Sequence, residues 1–170
     1  MDLKTLKTRK MDITEIRKYL PNYARAILYK TLSSSKKDVF AGGTTCVVVL
    51  YESTINKKRQ GHYIALIDRG NHIEYFSSLG RGPRDELNEM ELSESKKFRQ
   101  ILGNRYKYNK HPLQNQRDYS INTCGLFTIA RCLLKNYKLR DFVQIFKTPP
   151  RTPDDIISLM SLLLVKHVES

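Results

Sequence analysis

Apolar positions recur along this chain at two spacings, one typical of helices and one typical of strands. The strongest strand signal is the run 44–51 (TTCVVVLY), whose β-branched residues predict a buried central strand. The strongest helical signal begins at Cys124, with Asn122 and Thr123 as good N-cap residues before it. Its apolar positions predict one buried face, made of Leu126, Phe127, Ile129, Ala130, Leu133 and Leu134.

The remaining apolar pattern predicts further helices and one edge strand around these elements. Basic and tyrosine residues alternate over 105–110, as an exposed edge strand would. Capping residues, prolines and Gly103 mark the ends of the predicted helices, which are 12–20, 23–32, 85–102, 139–146 and 154–168. This mixture predicts an α+β fold in which the Cys124 helix packs on a small mixed or antiparallel sheet. We expect residues 11–170 to form a single domain.

A β-hairpin is predicted over 62–76, with 63–67 as the first strand and 72–76 as the second. The four residues between them, DRGN, form a tight turn. If Arg69 and Gly70 lie at the turn centre, His62 pairs across the ladder with Ser77. A change of one residue in turn length would make Ser78 the partner instead.

Charge and cysteine content add two expectations. The chain has 30 Lys and Arg against 17 Asp and Glu, a formal charge of +13, which favours contact with nucleic acid or another polyanion. Residues 1–10, with four of these cations, predict a basic arm that is either disordered or bound to a polyanion. The three cysteines are odd in number and widely spaced, which argues against disulfides and for a reducing compartment. Cys46 and Cys132 are accordingly predicted to be core thiols.

Cys124 is the candidate for chemistry because a thiol at a helix N-terminus feels the positive end of the helix dipole. That environment favours the thiolate, and Gly125 would let a substrate backbone approach closely. Cys124 and His62 together would form a nucleophilic Cys–His site. The competing interpretation is an ordinary half-buried thiol.

The chain resembles the clan of the adenovirus and SUMO proteases in the order of its motifs. Over residues 44–136 these are a His-aromatic pair at a strand start, a YF-x-S-x-G stretch after the next strand, and Gln followed by Cys-Gly at a helix start. Within the clan it looks most like the small maturation proteases of virophages, Polinton-type elements and large DNA viruses. The resemblance implies a papain-like fold, with Cys124 as nucleophile and His62 as general base. It also implies an oxyanion-hole glutamine, for which Gln116 is the best match and Gln114 the second.

The third catalytic residue departs from that pattern, because the clan has Asp, Glu or Asn where this chain has Ser77. We favour Ser77 or Ser78 as a neutral group that orients His62. Two other possibilities stay open, namely a bare Cys–His dyad and a substitute residue among Asp68, Asn71 and Glu74.

The resemblance implies a cysteine endopeptidase that cleaves viral capsid or scaffold precursors during virion maturation. Such an enzyme would need no cofactor, although the positive charge suggests stimulation by DNA. It would act in the virion and at the assembly site in the host cytoplasm, without a membrane partner. The alternatives are an isopeptidase that removes a ubiquitin-like modifier, and a non-catalytic basic capsid or nucleic-acid-binding protein on a protease-derived fold.

Overall fold

The computed structural model describes residues 2–33 and 35–168, with side chains up to residue 164, and it has an α+β fold. Its strands are β1 (Ala24–Leu28), β2 (Cys46–Ile55), β3 (Lys58–Asp68), β4 (Ile73–Phe76) and β5 (Lys107–Tyr108). Its helices are α1 (Leu3–Thr8), α2 (Ile13–Tyr19), α3 (Lys36–Val39), α4 (Pro83–Glu89), α5 (Lys96–Leu102), α6 (Cys124–Leu133), α7 (Leu139–Ile145) and α8 (Pro153–Val168). Residues Tyr29–Thr31 add one turn of 3-10 helix.

The five strands form one mixed sheet in the order β1-β2-β3-β4-β5, parallel at both edges and antiparallel in the centre. Because side chains alternate along a strand, β2 supplies two separate cores. Cys46, Val48 and Leu50 pack in the core that includes α6 and α7, while Val47, Val49 and Tyr51 face the core that includes α4 and α5. The sheet therefore separates the helix that carries Cys124 from the two helices that follow β4.

Most of the predicted elements are confirmed, including the central strand, the hairpin, the edge strand and the helix that starts at Cys124. Two are wrong. The segment 23–32 is mainly the strand β1, because its backbone pairs with β2 in register, and this tertiary pairing outweighs helical spacing. The segment 85–102 is two helices rather than one, and Glu91 between them has a φ of 52°.

Residues 1–10 were expected to be a basic arm, and in the structure they contain helix α1, which packs against α8. Leu6 is buried, and Lys7 forms an ion pair with Asp155 at the start of α8 with Nζ–Oδ1 2.9 Å. The carbonyl of Lys7 also accepts a hydrogen bond from the backbone N–H of Asn122, at 2.7 Å. This segment is thus held on the domain next to the residues that lead into Cys124.

The prediction of three free thiols is wrong, since a disulfide joins Cys46 of β2 to Cys132 of α6. Their Cα atoms lie 6.0 Å apart because α6 packs across this face of the sheet. The two residues are 86 positions apart in the sequence, so no local spacing could reveal the pair. Cys124 is left as the free cysteine, and the inference of a reducing compartment loses its support.

Candidate active site

Cys124 is the first residue of α6, and only 9% of its surface is exposed. The predicted side-chain cap is absent at Thr123, whose hydroxyl instead donates to Asp154 Oδ1 at 2.5 Å. Asp154 also accepts the backbone N–H of Asn115 at 2.8 Å through Oδ2. Helix α8 therefore fixes both the residue that precedes Cys124 and the loop that leads to it.

His62 lies in β3, is nearly buried, and has two oxygen partners at its Nε2 atom. Ser77 Oγ is 3.1 Å away, although His62 and Ser77 are not paired in the ladder between β3 and β4. Glu86 Oε2 is closer, at 2.9 Å, and the Ser77 hydroxyl donates to the other oxygen of the same carboxylate. Because Nε2 is engaged in this way, Nδ1 is the ring nitrogen left to interact with the Cys124 thiol.

Glu86 was not among the sequence candidates, although it supplies the negative charge that Ser77 lacks. It lies in the first turn of α4 and is 2% exposed. The sequence shows only an acidic residue near a helix start after Pro83, which is common on protein surfaces. Its burial depends on the packing of α4 against the sheet, which leaves no local signal in the sequence.

The other candidates for the third residue face different partners. Asp68 pairs with Lys36, and Asn71 Oδ1 lies 2.6 Å from the ring of His72. Glu74 is held by two arginine side chains, those of Arg69 and Arg131. Ser78 donates its hydroxyl to Gln114, at 2.8 Å. None of these contacts is directed at His62.

The electrostatics of the site favour an ion pair between sulfur and imidazole. Burial opposes charge on the His62 ring, but the nearby Glu86 carboxylate and the hydrogen bond to Cys124 outweigh it and raise the pKa of His62 to about 10. Burial likewise opposes a thiolate, yet the hydrogen bond and charge of His62 lower the pKa of Cys124 below its ordinary value. Backbone N–H groups of Tyr63 and Gly125 also stabilise the sulfur and lower that pKa further.

The two candidate glutamines lie in the loop before α6 and bond to other protein groups. Gln114 donates from Nε2 to the carbonyl of Ile121 at 3.0 Å. Gln116 is exposed, donates to the carbonyl of Leu79 at 2.8 Å, and accepts from Arg81. Assignment of either amide to an oxyanion hole therefore stays a prediction, and the backbone N–H of Cys124 stays its predicted partner.

A cleft of about 590 Å³ leads to Cys124 and Gly125. A Cβ atom on Gly125 would lie 2.8 Å from Cδ1 of the buried Ile16 and 3.4 Å from the ring of Tyr63, so glycine allows α2 to pack closely against the start of α6. The close approach of a substrate backbone at Gly125 stays a prediction. Within residues 2–33 and 35–168, no group of three or more His, Cys, Asp or Glu side chains is placed to hold a metal ion. In the same part of the chain, no helix combines the length and apolarity needed to span a bilayer.

No family model matches the sequence. The chain is 28% identical over 167 residues to "Uncharacterized protein V9" of the Sputnik virophage. The alignment covers 87% of this chain and 91% of that protein. Among solved structures, it is similar to the SUMO protease Ulp1 with its catalytic cysteine oxidised to a sulfonic acid (TM-score 0.46, 14% identity, 98% and 84% of the two chains). It is also similar to the C-terminal Ulp1 protease domain in complex with Smt3, the yeast ortholog of SUMO (TM-score 0.40, 17% identity, 98% and 82%). Both TM-scores lie below 0.5, so function has to be inferred from the geometry of the site itself.

Proposed function

We propose that this protein is a cysteine endopeptidase with Cys124 as nucleophile. The observation that carries the proposal is the buried chain of Cys124, His62 and Glu86 at the end of a cleft. A thiol near an imidazole that is held by a carboxylate is the arrangement needed for acyl transfer, whatever the fold. Ser77 is a positioning residue in this proposal, because it contacts both His62 and Glu86.

The reaction would begin with attack of the Cys124 thiolate on a peptide carbonyl carbon. As the C–N bond breaks, the His62 imidazolium gives its proton to the leaving amine, and a thioester forms on Cys124. Having given up its proton, His62 is neutral in the acyl-enzyme and can take a proton from water. The resulting hydroxide equivalent attacks the thioester and the C–S bond breaks, which releases the carboxylic acid and restores the thiolate–imidazolium pair.

The oxyanion formed in both steps needs hydrogen-bond donors. The backbone N–H of Cys124 is one candidate, and Gln116 or Gln114 would be the other. Either glutamine would have to leave its present carbonyl partner, Leu79 or Ile121, when substrate binds.

The substrate we propose is a viral capsid or scaffold precursor, cleaved at the assembly site or within the virion. Similarity to a virophage protein over most of both chains supports a viral setting. The charge of +13 supports a nearby polyanion, and DNA in the particle is the polyanion we propose as a stimulator.

The two alternatives fare differently against the site. The non-catalytic alternative is consistent with a neutral serine in place of the catalytic acid, but Glu86 supplies an acid next to His62 and weakens this alternative. A modifier-removing isopeptidase would use the same residues and differ only in its substrate, so the choice of substrate in the assay decides between them.

The test is co-expression of the protein with capsid precursor from the same virus, followed by mass spectrometry of the products. We expect cleavage by the wild type, none by Cys124→Ala, and a faster reaction of purified proteins when DNA is added. A parallel reaction with a Gly-Gly-tailed ubiquitin-like fusion identifies the isopeptidase. Equal products from wild type and Cys124→Ala with both substrates would refute the peptidase proposal.

A further inference from the structure

The cleft that leads to Cys124 has an apolar floor. Its aliphatic and thioether side chains are largely shielded from solvent and come from three separate parts of the chain, namely Met11, Ile13, Leu28 and Leu50. Tyr119, which is 96% exposed, stands at its rim. A peptide in this cleft would therefore bury an apolar side chain close to the scissile bond.

Some charged side chains of the cleft already have a partner within the protein, whereas Lys10 and Lys30 form no ion pair with any described residue. Of the two acidic ones, Asp12 accepts the backbone N–H of Glu15 as the cap of α2, and Glu52 forms an ion pair with Arg59. The other two cations, Lys10 and Lys30, line the cleft but form no ion pair with any described residue. The cleft thus offers two cations to whatever enters it.

Lys10 is held in the cleft wall by the backbone around it. The Tyr63 hydroxyl donates to the carbonyl of Met11 at 3.0 Å, and Asn122 Nδ2 donates to the carbonyl of Thr8 at 2.9 Å. The Lys7–Asp155 ion pair fixes α1 just before this segment. The end of the segment expected to form a basic arm therefore lines the cleft at Lys10, and it is tied through Thr8 to Asn122, two residues before Cys124.

From this arrangement we infer that the cleft selects peptide segments that carry Asp or Glu next to an apolar residue. Lys10 and Lys30 would pair with the acidic side chains while the apolar side chain contacts the apolar floor of the cleft. The inference rests on the proposed peptidase function and names the class of segment that it cleaves. Lys10 and Lys30 are exposed, and an exposed charge pair contributes modestly to affinity, so two pairs give a preference of up to about tenfold.

The test separates binding from cleavage by using Cys124→Ala throughout. A library of random dodecapeptides displayed on phage is selected on the immobilised protein, and the Asp and Glu content of recovered peptides is compared with the input. The same selection is made on Cys124→Ala carrying Lys10→Glu and Lys30→Glu. The matched control carries Lys138→Glu and Lys147→Glu, two exposed lysines outside the cleft, and so changes the net charge equally.

We expect acidic, apolar-containing peptides from the parent and from the control, but not from the cleft variant. Recovered peptides, measured by fluorescence anisotropy, should bind the cleft variant about tenfold more weakly. The inference is overturned if the parent shows no acidic enrichment, if enrichment survives in the cleft variant, or if both variants lose it equally, since that would indicate the overall field of the protein. Circular dichroism melts verify that each variant is folded. Because no cleavage is measured, failure of the peptidase proposal would show separately, in the co-expression experiment.

Discussion

Replacing Glu86 by glutamine tests how the site lowers the pKa of the Cys124 thiol. Glutamine has nearly the same shape, so the hydrogen bond to His62 can persist while the negative charge is lost. The pKa of His62 is raised to about 10 mainly because the Glu86 carboxylate overcomes burial. Without that charge, only the contact with Cys124 opposes burial, so we expect the pKa of His62 to fall below its wild-type value. An imidazole that is neutral at pH 7 would no longer stabilise a thiolate on Cys124.

The size of the loss follows from the ionisation of Cys124. A thiol with the ordinary pKa of about 8.5 is only about 3% thiolate at pH 7. If the wild-type thiol is mostly ionised, the variant loses roughly 30-fold in reactivity, or about 2 kcal/mol of activation free energy. Burial of Cys124 raises its pKa when the imidazolium is absent, so this figure is a lower bound.

Alkylation of Cys124 by iodoacetamide measures this effect without any substrate. The disulfide between Cys46 and Cys132 removes the other two cysteines from the reaction, so the modified mass reports Cys124 directly. We expect the wild-type rate to fall only in acid, and the Glu86→Gln rate to rise with pH to a midpoint of about 8.5 or higher. Glu89→Gln is the matched control, because Glu89 lies one turn further along α4 and is 57% exposed.

Two results would contradict this reasoning. If Glu86→Gln and wild type alkylate within threefold of each other at pH 7, the carboxylate does not control the thiolate. If Glu89→Gln slows alkylation as much as Glu86→Gln does, the effect is a general one of surface charge and not of the contact with His62.

Three further sets of variants test a hydrogen bond at the site, a glycine at positive φ and the disulfide. Ser77→Ala should lower the proposed peptidase activity about tenfold while the pH midpoint of Cys124 alkylation stays unchanged. One oxygen of the Glu86 carboxylate loses its hydrogen-bond donor, but the negative charge of Glu86 remains. An unchanged kcat/KM would contradict this prediction. Gly80→Ala should reduce the free energy of unfolding in urea by roughly 2–4 kcal/mol, because its φ is 68° and the new Cβ would lie 2.5 Å from a backbone nitrogen. Gly43→Ala, also at positive φ but in open space, should cost only about 1 kcal/mol. The double variant Cys46→Ala/Cys132→Ala should lower Tm by roughly 10 °C, because the disulfide closes a loop of 86 residues; an unchanged Tm in calorimetry would contradict it.

The hairpin was predicted correctly from the sequence pattern in its strands but not in its strand register. A turn centred on Arg69 and Gly70 predicted His62 opposite Ser77, whereas the observed pairs, such as Ala65 with Phe76, place the register two residues further on. A shift of two residues keeps every side chain on the same face of the sheet, and the chain turns back after β4. The predicted contact between His62 and Ser77 was therefore correct, although the predicted register of the strands was not.

Other features depend on packing between distant segments and leave no local pattern. Glu86 looks like any acidic residue in a first helical turn until the burial of α4 is known. The bond between Cys46 and Cys132 and the pairing of β1 with β2 likewise arise from segments brought together only in the folded chain. By contrast, the position of Cys124 at a helix start was predictable, because the apolar pattern that defines α6 lies within its ten consecutive residues.

The bond from Thr123 to Asp154 ties the residue before Cys124 to the first turn of α8. The same carboxylate accepts the backbone N–H of Asn115, so one side chain of α8 joins two separate points of the loop that runs to Cys124. Local unfolding of the first turn of α8 would therefore release both points together, and the start of α6 would loosen while the sheet stays intact.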